Sequence, residues 1–89
     1  MAERTLSRTT SGVVSAQPGY YTGYVVTTAL SAAAVTLYDN ATTSSGTIID
    51  VIPASAAVGT KDSFNQPIRA ANGLYAQFGG TGAITFLFD

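Results

Sequence analysis

Short runs of β-branched and aromatic residues recur along the chain, and turn-forming residues separate them. Alternation of apolar and polar positions within such runs is typical of strands, and no stretch shows the 3.6-residue period of an amphipathic helix. The pattern predicts strands at 20–29, 34–39, 47–53, 63–70, 74–79 and 83–88. About six short strands at this spacing favour an all-β fold, a small antiparallel β-sandwich or barrel.

Turn chemistry marks the ends of these runs. Pro53 stops one strand, and Pro67 places another at a sheet edge or bulge, because proline cannot donate to a ladder. Asn72-Gly73 favours a tight hairpin turn in which both central residues need positive φ. The sequence Gly-Gly-Thr-Gly at 79–82 is a second hairpin signal. We therefore expect the strands on either side of each turn to pair with each other.

The first 18 residues differ from the rest of the chain. They are polar, they carry Glu3, Arg4 and Arg8, and they end at Pro18-Gly19. We predict an extended N-terminal arm at 1–18, disordered when free and ordered on a partner, followed by a β-sandwich domain at 19–89. A floppy terminus without a binding role is the simpler alternative.

Alternation within the strands assigns side chains to an inner and an outer face. In the last strand, Ile84, Phe86 and Phe88 should face the core and Leu87 should face outward, with the chain ordered almost to Asp89. The predicted core consists of Val26, Val35, Leu37, Ile49, Val51, Leu74, Phe78, Ile84 and Phe86. The predicted outward set consists of Tyr24, Tyr38, Tyr75, Ile48, Ile52, Leu87 and several threonines.

Composition points to oligomerisation. The chain has 89 residues and no Cys or His, so neither disulfides nor the usual zinc ligands can support a domain of marginal size. A net charge of −1 with no basic stripe argues against nucleic-acid binding. No apolar run is long enough for a transmembrane helix. The polar first ten residues do not resemble a secretory signal, so we expect synthesis in a cytoplasm.

Charged residues make up only 10% of the chain, against about a quarter in an average domain. Weakly charged outer faces rich in Tyr suit protein contacts, because charged residues are depleted and Tyr is enriched at interface centres. Scattered surface aromatics are the ordinary alternative. The candidate partner-binding residues are Arg4, Leu6, Arg8, Val13, Val14, Tyr24, Tyr38, Tyr75 and Leu87.

Groups for catalysis are few. Histidine, the usual general base, is absent. The glycine-rich 79–82 segment is not followed by the Lys-Ser or Lys-Thr of a phosphate loop, and EF-hand spacing is missing. We predict no enzyme activity, no cofactor and no metal site. The carboxylates considered and set aside are Glu3, Asp39, Asp50, Asp62 and Asp89.

The order of motifs "VTLYDN…SGTIID…NGLYAQFGGTGAITFLF" resembles a group of short structural proteins of tailed bacteriophages, the head decoration (cement) and head-fibre proteins. The resemblance covers roughly residues 24–88, and each motif alone is turn chemistry. It implies an antiparallel β-sandwich on the outside of the virion. It also implies binding to the major capsid protein through the arm, and self-association, often as a homotrimer.

Two other functions remain open. A carbohydrate- or receptor-binding β-module of a phage tail fibre would use tyrosines to stack on sugar rings, although the chain has no Trp. A cytoplasmic assembly or regulatory subunit has no sequence feature in its favour. The tyrosines available for stacking are Tyr20, Tyr21, Tyr24, Tyr38 and Tyr75.

Overall fold

The computed structural model describes residues 4–89, which form eight strands and no helix. All strand pairs are antiparallel, which confirms the predicted all-β class. The strands are β1 (Arg4–Arg8), β2 (Gly12–Ser15), β3 (Gly19–Thr28), β4 (Val35–Tyr38), β5 (Ile48–Ile52), β6 (Lys61–Ala70), β7 (Leu74–Phe78) and β8 (Ala83–Phe88).

Two four-stranded sheets share one hydrophobic core in a sandwich-like arrangement. Sheet A has the order β1-β8-β3-β6, and sheet B has the order β2-β7-β4-β5. The chain changes sheet at every connection except that between β4 and β5, which are adjacent in sheet B. Both sheets are therefore assembled mainly from strands that are distant in sequence.

This topology shows that two of the hairpin predictions are wrong. β6 and β7 lie in different sheets, and so do β7 and β8. Asn-Gly and Gly-Gly-Thr-Gly do reverse the chain, but turn chemistry alone does not decide whether the next strand pairs or crosses to the facing sheet. At Gly73 a β-carbon would lie 2.6 Å from the carbonyl oxygen of Ser15. The turn is thus packed against β2 and needs glycine for that close approach.

The N-terminal segment is part of both sheets, which corrects the predicted arm and the count of about six strands. β1 pairs with β8 from Arg4 opposite Phe88 to Arg8 opposite Ile84, and β2 pairs with β7. Val14 is buried in the core. The segment has a polar sequence because both of its strands lie at sheet edges, where little apolar surface is covered. Glu3 lies outside the described residues.

The core contains most of the residues predicted for it. Ile49 and Phe78 are partly buried against it, and Phe88 is buried as expected. Buried side chains outside the predicted core include Tyr21 and Leu30. Six predicted residues are confirmed as buried: Val26, Val35, Leu37, Leu74, Ile84 and Phe86.

The predicted faces of β5 are wrong for Val51 and Ile52, whereas Ile48 is exposed and Ile49 packs against the core as predicted. Val51, assigned to the core, is 52% exposed, whereas Ile52, assigned outward, is fully buried. Asp50 lies opposite the buried Leu37 and points inward, and a register shift between Leu37 and Tyr38 then places Ile48 opposite Tyr38 on the outer side. The hydroxyl of Tyr21 donates a hydrogen bond of 2.9 Å to the Asp50 carboxylate, which makes the inward charge tolerable.

Tyr24 was predicted to face outward and is buried instead. It pairs with Phe86 and lies on the same side of β3 as Val26. A register shift between Tyr21 and Gly23 brings Tyr21 and Tyr24, three positions apart, to the same inner side. Gly23 is required there, because a β-carbon would overlap the carbonyl oxygen of Asp62.

The end of the chain is ordered as expected. β8 covers the predicted residues, and Asp89 exchanges two backbone hydrogen bonds of 2.8 Å with Tyr20. Leu87 points away from the core and is half-buried between Thr5 and Gly23 on the outer side of sheet A. The strand therefore fills the centre of sheet A between β1 and β3.

Candidate functional site

The outer side of sheet B forms a continuous uncharged surface, which we name the contact face. Its positions follow from alternation, because they lie between the buried residues of each strand. Val13, Tyr75, Tyr38 and Ile48 form one row across all four strands, and Gln77, Thr36 and Val51 form a second row. The contact face thus comprises Val13, Thr36, Tyr38, Ile48, Val51, Tyr75 and Gln77.

Large apolar side chains are partly open to solvent on this face. Ile48 is 55% exposed and Val51 is 52% exposed. Tyr38 and Tyr75 are cross-strand neighbours and half-buried, and the Tyr38 hydroxyl donates to the Gln77 side chain at 3.3 Å. Tyrosine combines an apolar ring with a polar tip, so it is stable both in water and in a dry contact.

The contact face has no charged side chain. The only ionisable carboxylate in the four strands of sheet B is Asp50, and it is turned inward. One of its oxygens accepts from the Tyr21 hydroxyl, and the other accepts from the Val51 N–H at 2.8 Å. The only charge in the strands of sheet B is therefore kept away from the outer side on which Ile48 and Val51 are exposed.

The Tyr21–Asp50 pair joins the two sheets. Burial raises the pKa of the Tyr21 hydroxyl well above its ordinary value, and the charge and hydrogen bond of Asp50 raise this pKa further. Burial also raises the pKa of Tyr24, with smaller effects from the charges of Asp50 and Asp62. The ring of Phe64 packs edge-on against Tyr21 at 5.3 Å between centroids. Both tyrosines are held neutral by this environment.

Three of the predicted binding residues in the N-terminal segment make intramolecular contacts. The guanidinium of Arg4 lies 4.9 Å from the centre of the Phe88 ring. Leu6 packs against the core. Arg8 donates to three carbonyl oxygens: those of Thr10 at 3.0 Å and Ser11 at 3.3 Å in the β1–β2 connection, and that of Val13 at 3.2 Å in β2. Arg8 therefore fixes the chain where it crosses from sheet A to sheet B.

Only three of the nine predicted residues meet in one surface. Val13, Tyr38 and Tyr75 lie together on the contact face, whereas Val14 and Tyr24 are buried and Leu87 lies on the opposite side of the molecule. Sequence reasoning placed Ile48 outward but missed the contribution of Thr36, Val51 and Gln77. These three residues are next to the buried Leu37, Ile52 and Ala76 in their strands, and this alternation is the sequence signal that they face outward.

The outer side of sheet A is more polar. Ser7 and Thr85 share a hydrogen bond of 2.6 Å across β1 and β8. Lys61 lies beside Val25, and the guanidinium of Arg69 lies 5.3 Å from the centre of the exposed Tyr20 ring. This surface therefore carries two cations, which the contact face does not.

The carboxylates of Asp39 and Asp62, like that of Asp50, have local structural partners. Asp39 accepts from the Asn72 N–H at 2.8 Å, and Asp62 accepts from the Ser63 N–H at 2.9 Å. Within these residues, no group of three or more His, Cys, Asp or Glu side chains could hold a metal ion. In the same part of the chain no helix could cross a membrane.

Comparison with known proteins gives no relative. No family model matches the chain, and neither a curated protein nor a solved structure matches it. Function is therefore argued from the geometry of the contact face and from the motifs along the sequence. A broad, uncharged sheet surface with two adjacent tyrosines can bury apolar area against another surface, which is the chemistry of association.

Proposed function

We propose that this protein is a structural protein of a tailed bacteriophage, an antiparallel β-sandwich that decorates the outside of the capsid and stabilises it. The major capsid protein is its proposed partner. The observation that carries the proposal is the contact face, with exposed Ile48 and Val51 beside Tyr38 and Tyr75 and no charge. Such a surface is suited to a permanent contact between proteins.

The motifs behind the family resemblance support the proposal through their placement. The N–H of Asp39, in the Tyr-Asp-Asn motif, donates to the Thr47 carbonyl of the Ser-Gly-Thr motif at 2.8 Å. The carboxylate of Asp39 accepts from Asn72 of the Asn-Gly-Leu-Tyr motif. Three separate motifs thus meet at one end of sheet B. They position Tyr38 and Tyr75, the last residue of one strand and the second residue of the other.

A decoration protein acts by adding many identical contacts to a symmetric shell. Each contact gains about 25 cal/mol for every Å² of apolar surface buried, less the cost of association. Individually weak contacts then combine when copies are linked on the same shell. Because the edge strands β1 and β2 are part of the fold, the contact to the shell is assigned to the sheet faces rather than to a free arm.

Quantitative mass spectrometry of the virions whose genome encodes this chain tests the proposal. We expect a copy number close to that of the major capsid protein, and release of the protein should lower the temperature at which heads disrupt. Absence of the chain from purified virions would refute the proposal. A copy number near that of a tail fibre would assign it to the tail instead.

The pairing of Tyr38 with Tyr75 favours one second candidate, a carbohydrate- or receptor-binding module of a tail fibre. Two adjacent rings with an amide, that of Gln77, within hydrogen-bonding distance of one hydroxyl could stack on a sugar and orient it. A glycan array separates the two functions. Specific binding that Tyr75→Ala abolishes would favour the module, whereas no binding to any glycan would leave decoration as the proposal.

A further inference from the structure

We propose that the contact face binds the same face of a second copy of this chain, so that two sheets B pack against each other across a two-fold axis. The inference goes beyond the proposed function: within the decorating assembly it assigns the contact face to contacts between copies of this chain and the outer side of sheet A to the shell. It rests on the absence of charge on the contact face, on the surface area of the chain and on the partly blocked backbone edge of β5. It does not rest on the identity of the shell.

The distribution of charge favours self-association through sheet B. In a two-fold contact each surface meets a copy of itself, so any charge near the axis faces a like charge. The outer side of sheet A carries Lys61 and Arg69 and would repel its copy. The contact face has no charge that could be repelled, since Asp50 is turned inward and bonded to Tyr21.

The same neutrality argues against a strongly charged partner. A charged side chain placed on this face would lose its water and find no opposite charge there. The hydroxyls of Tyr38 and Tyr75 and the amide of Gln77 offer only neutral hydrogen bonds. A second copy is neutral in the same way and offers the same donors and acceptors.

A stable interface of standard size buries about 800 Å² on each partner, which is about a sixth of the 4633 Å² that the chain exposes. The Cα extents are 30 × 25 × 17 Å, so the molecule has two broad sides, and the interface would cover the one that holds the contact face together with the residues around that face. Facing sheets about 10 Å apart would interdigitate the two rows of side chains.

Face-to-face packing is favoured over pairing through the edge of sheet B. The edge strand β5 has only five residues and is followed by Pro53. The Asp50 carboxylate already accepts the Val51 N–H, so this donor is not free for an added strand. The exposed apolar side chains of β5 thus remain available on the face while its backbone is partly blocked.

Light scattering on the purified full chain at micromolar concentration tests the inference. We expect twice the monomer mass for the wild type. Val51→Lys places two like charges in the contact and should weaken dimerisation by at least about tenfold. Val58→Lys is the matched control, because Val58 is an exposed valine, 64% accessible, in the β5–β6 connection away from the contact face. It should leave the dimer intact.

Gln77→Lys is a second variant of the contact face. The Gln77 side chain is exposed in the middle of sheet B, so this variant should fold even if Val51→Lys does not. A wild-type monomer, a trimer, or a dimer that neither lysine weakens would overturn the inference. Failure here is distinct from failure of the proposed function. A monomer that is abundant on virions contradicts only the pairing, whereas a dimer absent from virions contradicts only the decoration.

Discussion

The two sheets use their aromatic residues in opposite ways. All four buried aromatic side chains, Tyr21, Tyr24, Phe86 and Phe88, belong to sheet A and point into the core. Sheet B lines its inner side mainly with aliphatic residues and turns Tyr38 and Tyr75 outward. Aromatic residues therefore stabilise the core in sheet A and are partly exposed to solvent in sheet B.

The two sheets also differ in where their charged side chains point. Sheet A presents Lys61 and Arg69 to solvent, whereas the one carboxylate of sheet B faces inward to Tyr21. Charged side chains are therefore not spread evenly over the two sheets: the outer side of sheet A has Lys61 and Arg69, and the contact face has none. Substitutions in the interior of sheet A should thus change stability, and substitutions on the contact face should change association.

The largest expected effect comes from deleting residues 2–16, which removes one edge strand from each sheet. The deletion exposes the edge of β8, with Phe86 and Phe88, and the edge of β7. It also removes the buried Val14. We expect loss of cooperative unfolding, monitored by circular dichroism. A truncated chain that melts like the wild type would show that β1 and β2 are dispensable and that the segment is an arm.

Next is Phe86→Ala in the centre of sheet A. Phe86 is fully buried, and such truncations typically cost about 3–5 kcal/mol, a large part of the stability of a small domain. Ile48→Ala on the contact face is the control, since truncation of a surface residue usually changes stability by less than about 0.5 kcal/mol. Urea unfolding at a concentration where the chain is monomeric measures both. Equal costs would remove the distinction between the two sheets.

Tyr21→Phe removes the hydrogen bond to Asp50 and should cost about 1–3 kcal/mol, because a partly buried carboxylate loses a donor. The matched variant Tyr38→Phe removes an exposed hydrogen bond to Gln77 and should cost less than about 0.5 kcal/mol. Denaturant titrations at neutral pH compare the two. A larger loss in Tyr38→Phe would contradict the assignment of Tyr21 as the link between the sheets.

The Tyr21 hydroxyl also predicts a pH dependence. Its pKa is raised in the folded state, so the unfolded state loses the proton first, near the ordinary value of 10.0. The stabilisation is fully present below pH 10 and is lost as the pH rises above it. We expect the unfolding free energy to fall more steeply above pH 10 in the wild type than in Tyr21→Phe. Parallel curves would show that Tyr21 is not coupled to folding.

The smallest expected effect on stability is that of Val51→Lys. Val51 is half-exposed and points away from the core. The melting temperature of the variant at monomeric concentrations should therefore stay close to that of the wild type. The contrast with Phe86→Ala is then sharp, since one variant loses association and the other loses stability. A strong destabilisation by Val51→Lys would indicate that Val51 belongs to the core, as the sequence pattern predicts.

Sequence patterns predict the strands from β3 to β8 closely but not their partners. β-branched and aromatic runs define these strands, whereas the polar β1 and the short β2 lie at edges and lack such a signal. Pairing is decided by contacts between distant segments, such as β1 with β8, which no local turn encodes. The turn at Asn72-Gly73 was recognised, but its crossing to the other sheet was not.

The contact face was only partly predictable for a similar reason. Regular alternation in β5 points to Ile49 and Val51 as the apolar inner pair. This holds for Ile49 but is wrong for Val51, because Asp50 and Ile52 face inward and Asp50 bonds to Tyr21. Tyr24 was misplaced, although it shares a side of β3 with Val26. In both strands a register shift or a polar partner from the other sheet decides the orientation. Tyr38 and Tyr75 lie in regular strands, and their outward placement was predicted.

Tyrosine labelling at low and high protein concentration tests association through the contact face, because the chain contains its own control. Tyr20 is 44% exposed on sheet A, whereas Tyr38 and Tyr75 lie on the contact face. Hydroxyl-radical footprinting read by mass spectrometry would follow each side chain separately. We predict that Tyr38 and Tyr75 become protected as the concentration rises while Tyr20 does not. Protection of Tyr20 instead, or of none of the three, would contradict the assignment of sheet B as the contact face.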